Sequence, residues 1–305
     1  MAKRPTWYKP DVQLSLRMFT TMLLLGALYT AFIVVLWYLG VNFILLLVIA
    51  AVILGVQLFF TDKIALFSMN AREVTPEEAP QLHALIDRLS AQANLPKPKV
   101  AIVNTNLPNA FATGRSKKHA VIAVTTGLLD RLNTQELEAV LAHELTHIIN
   151  RDMVVMTIAM FLSMVASLIV NSFLWGAFYG GGRRDDRDGG GNAFVLVWLV
   201  AIVVYALSFV LIRTLSRYRE YAADRGSALI TGEPGNLASA LMRIEGTIES
   251  GRIPDRDLRQ AQGVSALMIM PLRGQSVMEL FSTHPSLEHR VERLQRIQKQ
   301  MEAPR

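Results

Sequence analysis

The stretch His143-Glu144-Leu145-Thr146-His147 lies within a run from Gln135 to Ile149 whose apolar spacing predicts a helix. Residues four apart share one face of a helix, so the imidazoles of His143 and His147 can bind a single ion. Glu144 then lies beside that ion, where its carboxylate can act on a water molecule. Two histidines and a glutamate in this arrangement are typical of zinc peptidases. The stretch predicts a zinc site with Glu144 as general base.

A third ligand has to come from elsewhere, because a catalytic zinc has three protein ligands and one open position. The chain has no cysteine, and no histidine follows His147 at the spacing of metzincins. The remaining histidines are His83, His119, His284 and His289. A carboxylate is the natural alternative, and Glu220 and Asp224 share one face of a later predicted helix. We expect Glu220 to bind the metal and Asp224 to accept a hydrogen bond from His143.

Each motif has a simpler interpretation when it is taken alone. The histidine motif also occurs by chance, and a Glu/Asp pair on a basic helix commonly forms surface ion pairs. Together the two motifs favour a metal site, because each supplies the ligands that the other lacks.

Four apolar runs predict a membrane protein, in a chain that is 51% hydrophobic. The residues from Met18 to Thr61 carry no charge over 44 positions, which is about twice the thickness of a bilayer core. A turn at Gly40-Val41-Asn42 would divide this run into spans at Phe19–Tyr38 and Phe43–Phe60. The third run follows Asp152 to about Phe178, and the fourth is Ala193–Ile212.

Basic residues flank the same side of every predicted span, which predicts the orientation. They are Lys3, Arg4, Lys9 and Arg17 before the first span, Lys63 and Arg72 after the second, Arg151 before the third, and Arg213, Arg217 and Arg219 after the fourth. The positive-inside rule therefore places both termini and the catalytic domain in the cytoplasm, at the plasma (inner) membrane. The net charge of +6 then reflects topology and anionic lipid rather than nucleic acid.

The predicted fold is α+β and mostly α-helical, with four transmembrane helices and a cytoplasmic zinc-protease domain that has a small β-sheet. Residues 1–61 form the N-terminal tail and first hairpin, and residues 153–212 a second hairpin with a Gly-rich loop at 180–192. Residues 62–152 and 213–305 are each marginal in size for a core, so we expect them to form one domain together.

Local signals place the elements of this domain. Thr75-Pro76-Glu77-Glu78 resembles a capped helix start, and this helix should end near Ala93. Asn133 should cap the histidine-motif helix, with Glu136 in the reciprocal position. Strands are predicted at Lys99–Val103, Asn109–Gly114 and His119–Thr125, and later helices near Tyr218–Thr231, Asn236–Glu249 and Leu287–Glu302.

The order of these motifs resembles the HtpX-type membrane metalloproteases, relatives of the CAAX prenyl proteases, over nearly the whole chain. The matching stretches are Asn109–Gly114, Val124–Leu129, His143–His147, Ser216–Asp224 and Ser282–Arg290. Ser286 stands where the family frequently has a second proline. The resemblance implies a gluzincin fold, one Zn²⁺ per chain held by His143, His147 and Glu220, and quality control of membrane proteins under stress.

The resemblance also implies that the strand Asn109–Gly114 lines the cleft. Its residues Asn109, Ala110, Phe111 and Ala112 would then receive the substrate backbone as an added β-strand. A turn-forming Asn after Pro108 explains Asn109 nearly as well.

Something besides the metal must stabilise the oxyanion that forms during peptide hydrolysis. His284 is the candidate, with Tyr221 and Arg290 behind it. A loop or capping histidine before Pro285 is an equally good interpretation of His284, and His289 is expected at the surface.

A membrane-embedded zinc endopeptidase acting on membrane-protein or unfolded polypeptides is the favoured function. A CAAX-type prenyl-protein protease is the first alternative, although four spans are few for that subgroup. The second is a non-catalytic zinc-binding scaffold or transporter component, but transporters place ionisable groups inside their spans and these spans carry none. The expected partners are the bilayer and polypeptide substrates; a homo-oligomer is neither indicated nor excluded.

Overall fold

The computed structural model describes residues 11–39, 43–179, 190–250, 253–254, 257, 269 and 284–303. The predicted turn at 40–42 and most of the Gly-rich loop at 180–192 lie outside these residues. The helices are α1 Val12–Tyr38, α2 Phe43–Ser68, α3 Pro80–Gln92, α4 Thr126–Leu129, α5 Thr134–Asn150, α6 Asp152–Tyr179, α7 Gly190–Thr231, α8 Pro234–Glu249 and α9 Leu287–Glu302. The strands are β1 Arg72–Glu73, β2 Lys99–Val103, β3 Ala110–Thr113 and β4 Val121–Thr125. The predicted fold class, mostly helical with a small sheet, is confirmed.

Helices α1, α6 and α7 are long and apolar enough to cross a membrane, and α2 adds a fourth span if its two parts are counted together. Those parts are bent by 63° between Phe60 and Asp62, at the predicted end of the second span. Inward residues such as Phe32 and Ala201 form an apolar cluster, whereas outward ones such as Phe19 are exposed, as expected for lipid contact. The chain is therefore an integral membrane protein.

The small sheet has the strand order β1-β2-β4-β3, with β2 and β4 parallel and β3 antiparallel to β4. Its apolar face packs on α5, so that Val100 and Ile122 share a core with Leu141. Leu241 of α8 and Leu294 of α9 belong to the same core. The segments before and after the α6–α7 hairpin are therefore packed against each other.

Two predicted boundaries are wrong for local reasons. The helix predicted from Thr75 begins at Pro80, because a proline disfavours helical backbone in the preceding Ala79, which has φ −140° and ψ 62°. The strand predicted from His119 begins at Val121, because Lys117–His119 form a 3₁₀ turn.

The fourth span and the predicted helix Tyr218–Thr231 form one continuous helix, α7, of 42 residues. At 1.5 Å per residue it is about 63 Å long, roughly twice the thickness of a bilayer core. The element that crosses the membrane is thus also the element that carries Glu220.

Candidate metal centre

The helix with the two histidines is fixed at its start and along its length. Asn133 and Glu136 form the predicted capping box, in which Glu136 N–H donates to Asn133 Oδ1 at 2.9 Å and Asn133 N–H donates to Glu136 Oε2 at 3.0 Å. This prediction is confirmed. Further along α5, the side chains of His143 and Glu144 are buried, whereas His147 is partly exposed.

Helix α7 lies very close to α5 where the ligands meet. A Cβ atom at Gly226 would come within 2.2 Å of Thr146 Cγ2, so only glycine permits this approach. Ser227 Oγ, one residue later, donates to Ala139 O at 2.7 Å. The contact sets the position of Glu220 relative to the two histidines.

The three predicted ligands converge on one point. His143 Nε2 and His147 Nε2 are 3.1 Å apart, and the Glu220 oxygens lie 3.5 Å from His143 Nε2 and 3.6 Å from His147 Nε2. Ligand atoms around a tetrahedral zinc are about 3.3 Å apart, given metal–ligand bonds of about 2.0–2.1 Å. Two imidazole nitrogens and one carboxylate therefore fit a single tetrahedral metal ion.

His143 is supported by a buried carboxylate and a buried arginine. Its Nδ1 lies 3.0 Å from Asp224 Oδ1. Arg290 of α9 donates to both Asp224 oxygens, from Nε at 3.0 Å and from Nη2 at 2.6 Å. Arg290 is fully buried, and its Nη1 lies 3.6 Å from Glu220 Oε2. The free nitrogen of the ligand is thereby fixed in orientation.

His147 has an equivalent support that the sequence prediction missed. Its Nδ1 lies 2.6 Å from Asp152 Oδ2, and Arg219 Nε is 3.2 Å from the same oxygen. Arg151 between the two helices has a left-handed backbone with φ 56°, which ends α5 and lets Asp152 begin α6. The signal was available, because a ligating imidazole needs a partner and Asp152 follows His147 closely.

At the metal centre, the effect of burial on each pKa is opposed by the charged groups next to it. Burial alone would lower the pKa of His143, but the carboxylates of Asp224 and Glu220 raise it to about 9. Burial alone would raise the pKa of Glu220, yet His284 and His143 hold it well below its usual range. Likewise, Arg290 and His143 outweigh burial and lower the pKa of Asp224. Without metal, the site thus keeps a proton on His143 that a metal must displace.

Glu144 projects into the same cavity and is only 4% exposed. Its Oε2 accepts the Ala112 N–H of the edge strand at 2.9 Å. Burial raises the pKa of Glu144, although His147 and His143 oppose the shift. A carboxylate with a raised pKa is suited to receive and return a proton.

The structure places the weaker candidates less uniformly. His284 is buried, lines the metal cavity, and has its Nδ1 3.6 Å from Glu220 Oε2. The Tyr221 ring instead packs against the guanidinium of Arg293, at 4.5 Å. Asn109 N–H donates to Thr125 Oγ1, and Asn109 Oδ1 accepts the Ile269 N–H at 2.9 Å. The side chain of Asn109 thus contacts this chain's own backbone at the margin of the cavity.

Three other histidines have separate roles. His83 is buried with Nε2 3.0 Å from Val74 O, while His119 and His289 lie against Ser116 and Ser286. None of the three lies in the metal cavity, within the part of the chain that the structure describes.

Comparison with known proteins agrees with this site. Residues 76–298 match Peptidase family M48. The chain belongs to that family. It is accordingly a metalloprotease. The Protease HtpX homolog of Moorella thermoacetica is 58% identical over 97% of this chain and 98% of its own length. Protease HtpX homolog 2 of Methanosarcina mazei is 52% identical over 96% and 98% of the two chains.

A solved structure shares the fold of this M48 protease. The crystal structure of S. mikatae Ste24p superposes with a TM-score of 0.54, at 20% sequence identity, and covers 93% of this chain and 67% of that one. The membrane helices and the small sheet thus occur together in a known architecture.

Proposed function

We propose that this M48 protease is a zinc endopeptidase that hydrolyses peptide bonds of membrane proteins next to the cytoplasmic surface of the bilayer. The observation that carries the proposal is the convergence of His143, His147 and Glu220 around one tetrahedral position, with Glu144 in the same cavity. Imidazole and carboxylate donors at these separations suit zinc. One ion per chain would complete the site.

In the proposed reaction, His143, His147 and Glu220 would hold the zinc. When bound, zinc lowers the pKa of a water molecule and polarises the scissile carbonyl. Glu144 accepts the proton of the attacking water and delivers it to the leaving amine nitrogen, for which its raised pKa suits it. His284, at the wall of the cavity, stabilises the developing oxyanion. Asp224 and Asp152 keep the two ligand imidazoles in orientation throughout.

The substrate is proposed to bind along β3, which is the edge strand of the sheet. Thr125 N–H donates to Asn109 O, so the alternating antiparallel pattern turns the backbone groups of Ala110 and Ala112 away from β4. Because the Ala112 N–H already donates to Glu144 Oε2, an extended peptide would pair with this edge through the other outward backbone groups of Ala110 and Ala112. Asn109, Ala110, Phe111 and Ala112 would then lie beside the substrate backbone.

The position of the centre supports membrane proteins as substrates. Glu220 lies about 12 Å beyond Ile212 along α7, and α6 begins at Asp152, in contact with His147. The positive-inside pattern supports a cytoplasmic orientation for this side. A peptidase held here reaches damaged or misfolded membrane proteins where their chains leave the bilayer, which fits quality control.

The test compares purified wild type with Glu144→Gln on a misfolded membrane-protein substrate, with and without chelator. We expect Glu144→Gln to retain zinc by elemental analysis but to lose at least about 10³-fold in kcat. Glu138→Gln is the matched control, because Glu138 lies on the same helix and pairs with Arg88. Near-normal turnover by Glu144→Gln would exclude Glu144 as the base.

The same assay separates the prenyl-protease alternative. A C-terminally prenylated peptide is offered beside the unmodified membrane substrate. Preference for the prenylated peptide would assign the CAAX-type function instead.

A further inference from the structure

Helix α2 continues beyond the bend at the end of its membrane span. The charge-free run of the sequence stops at Thr61. The second part of the helix, Asp62–Ser68, is turned by 63° from the first part. For a span along the bilayer normal, this second part lies closer to the membrane plane than to the normal. We call Asp62–Ser68 the bent segment.

The bent segment has two apolar faces. On one face, Ala65 and Met69, the residue that follows the segment, are buried against the sheet, where they share a cluster with Phe111 of β3. On the other face, Ile64 is 53% exposed and Phe67 is 89% exposed. Residues three apart lie on one side of a helix, so these two side chains form one apolar surface directed away from the domain.

Such exposure is typical of the membrane helices and not of the catalytic domain. Beyond the bent segment, Met242 is the one large apolar side chain of comparable exposure, at 51%, among the described residues of the domain. Along the span of α2, exposed apolar residues such as Val52 and Val56 recur every fourth position, as expected for lipid contact. Ile64 and Phe67 continue this outward stripe past the bend.

Two cations lie against aromatic rings at the bend. The guanidinium of Arg115, in the connection from β3 to β4, is 5.5 Å from the centre of the Phe59 ring, and Lys63 Nζ is 5.6 Å from the centre of the Phe60 ring. Both rings are exposed at the end of the span. Long basic side chains at the end of a span place their stems on apolar surface and their charges among the headgroups. The bend therefore coincides with the boundary between acyl chains and headgroups.

We propose that the bent segment is a lipid-binding surface that lies in the membrane interface, with Ile64 and Phe67 inserted at the edge of the acyl chains. A helix in the membrane plane with an apolar outer face binds a bilayer in this way. The inner face of the segment carries the sheet. The edge strand β3 is thereby held about one helix diameter, roughly 10 Å, above the lipid.

A second copy of this chain is the other occupant that an apolar face attracts. Lipid is favoured because the face is continuous with the outward surface of the span. The face is also small, since two large side chains fall far short of the roughly 20–30 residues that each partner contributes to a stable protein interface.

Single cysteines test the surface without background, because the chain has no cysteine of its own. Ile64→Cys and Phe67→Cys are spin-labelled in the full-length protein, in nanodiscs that hold one copy each. Collisions of the label with oxygen and with a water-soluble nickel chelate report its depth. Both labels should lie between Val52→Cys, on the span, and Met242→Cys, in water. Met242 is the matched control, because its exposure of 51% is close to the 53% of Ile64.

Two results would overturn the lipid-binding surface. Nickel accessibility equal to that of Met242→Cys would place the face in water. Labels screened from both oxygen and nickel would mean that protein covers the face. Spin–spin broadening that appears only in nanodiscs with two copies, together with such a water-exposed label in the single copy, would assign the face to a dimer.

A second readout rests on the proposed peptidase function. Phe67→Gln should lower cleavage of a membrane-inserted substrate, relative to a soluble peptide with the same cleavage sequence, by about tenfold. Burial of one large apolar side chain contributes about this factor. Met242→Gln should leave the ratio unchanged. An unchanged ratio in Phe67→Gln would overturn the role of the surface in positioning β3. If wild type cleaves neither substrate in a chelator-sensitive manner, the peptidase function fails, whereas the label depths still decide the lipid-binding surface.

Discussion

The two ligand histidines have the same chemical support but are anchored in different parts of the molecule. His143 contacts Asp224, which Arg290 of the C-terminal helix α9 holds inside the shared core. His147 contacts Asp152, the first residue of a membrane-spanning helix, and Arg219 follows the other span. One half of the metal site thus depends on packing of the domain, and the other on how α6 and α7 enter the bilayer.

The largest effect is a loss of folding stability when the support of His143 is removed. Asp224→Asn leaves the fully buried Arg290 without its bidentate carboxylate, which should lower the free energy of unfolding by about 3–5 kcal/mol. Denaturant unfolding in mild detergent measures the change. Asp87→Asn at the exposed pair with Lys97 is the control and should cost at most about 1 kcal/mol. Equal effects of both substitutions would contradict the buried-clamp interpretation.

On the His147 side the effect should appear in metal binding. Asp152→Asn removes the carboxylate that orients His147, and should weaken zinc binding by about 10–100-fold. Competition with a chelator of known affinity measures the change. Unchanged affinity would show that the membrane helix does not support the metal.

The pH dependence of zinc affinity should distinguish the contribution of Asp224 from that of Asp152. The pKa of His143 is raised to about 9, so its proton stabilises the metal-free fold fully below its unfolded pKa of about 6.5. That stabilisation is lost as the pH rises through about 9, and zinc must displace the same proton. Zinc affinity should therefore increase about tenfold per pH unit up to about pH 9. Asp152→Asn should leave the position of this break unchanged, and a break near pH 6.5 in wild type would refute the role of Asp224.

The smallest effect is a change of stability at Arg151, which lies between α5 and α6. Arg151 has a left-handed backbone that costs a residue other than glycine roughly 1–2 kcal/mol, so Arg151→Gly should stabilise the fold by about 0.5 kcal/mol. Asn94→Gly is the control, because asparagine tolerates the same backbone and should gain less. A loss of stability in Arg151→Gly would mean that the arginine side chain is needed there.

Local signals account for what the sequence predicted well. The capping box at Asn133, the strand Lys99–Val103 and the helix Leu287–Glu302 follow from short-range patterns and agree with the structure. The grouping of the metal ligands was also predictable, because His143 and His147 needed a third ligand and Glu220 could supply a carboxylate.

The missed features depend on distant contacts or on competing local rules. Arg290 lies on a charge-rich helix that predicts an exposed face, yet it is buried against Asp224, 66 residues earlier in the chain. The continuity of α7 was missed because hydropathy changes near Arg213 while the helix does not break. Pro80 is a competing signal for a helix start, and the helix begins there rather than after the predicted cap at Thr75.

The unbroken length of α7 joins the membrane-spanning part of the chain directly to the metal ligand Glu220. A rigid rod that tilts to match a thicker or thinner bilayer swings its far end, and a tilt of about 10° moves a point 12 Å beyond the surface by about 2 Å. Such a swing is comparable to a metal–ligand bond, while His143 is held by the protein core. The close contact of Gly226 with Thr146 and the hydrogen bond from Ser227 to Ala139 oppose such a swing, because they hold α7 against the helix that carries the histidines.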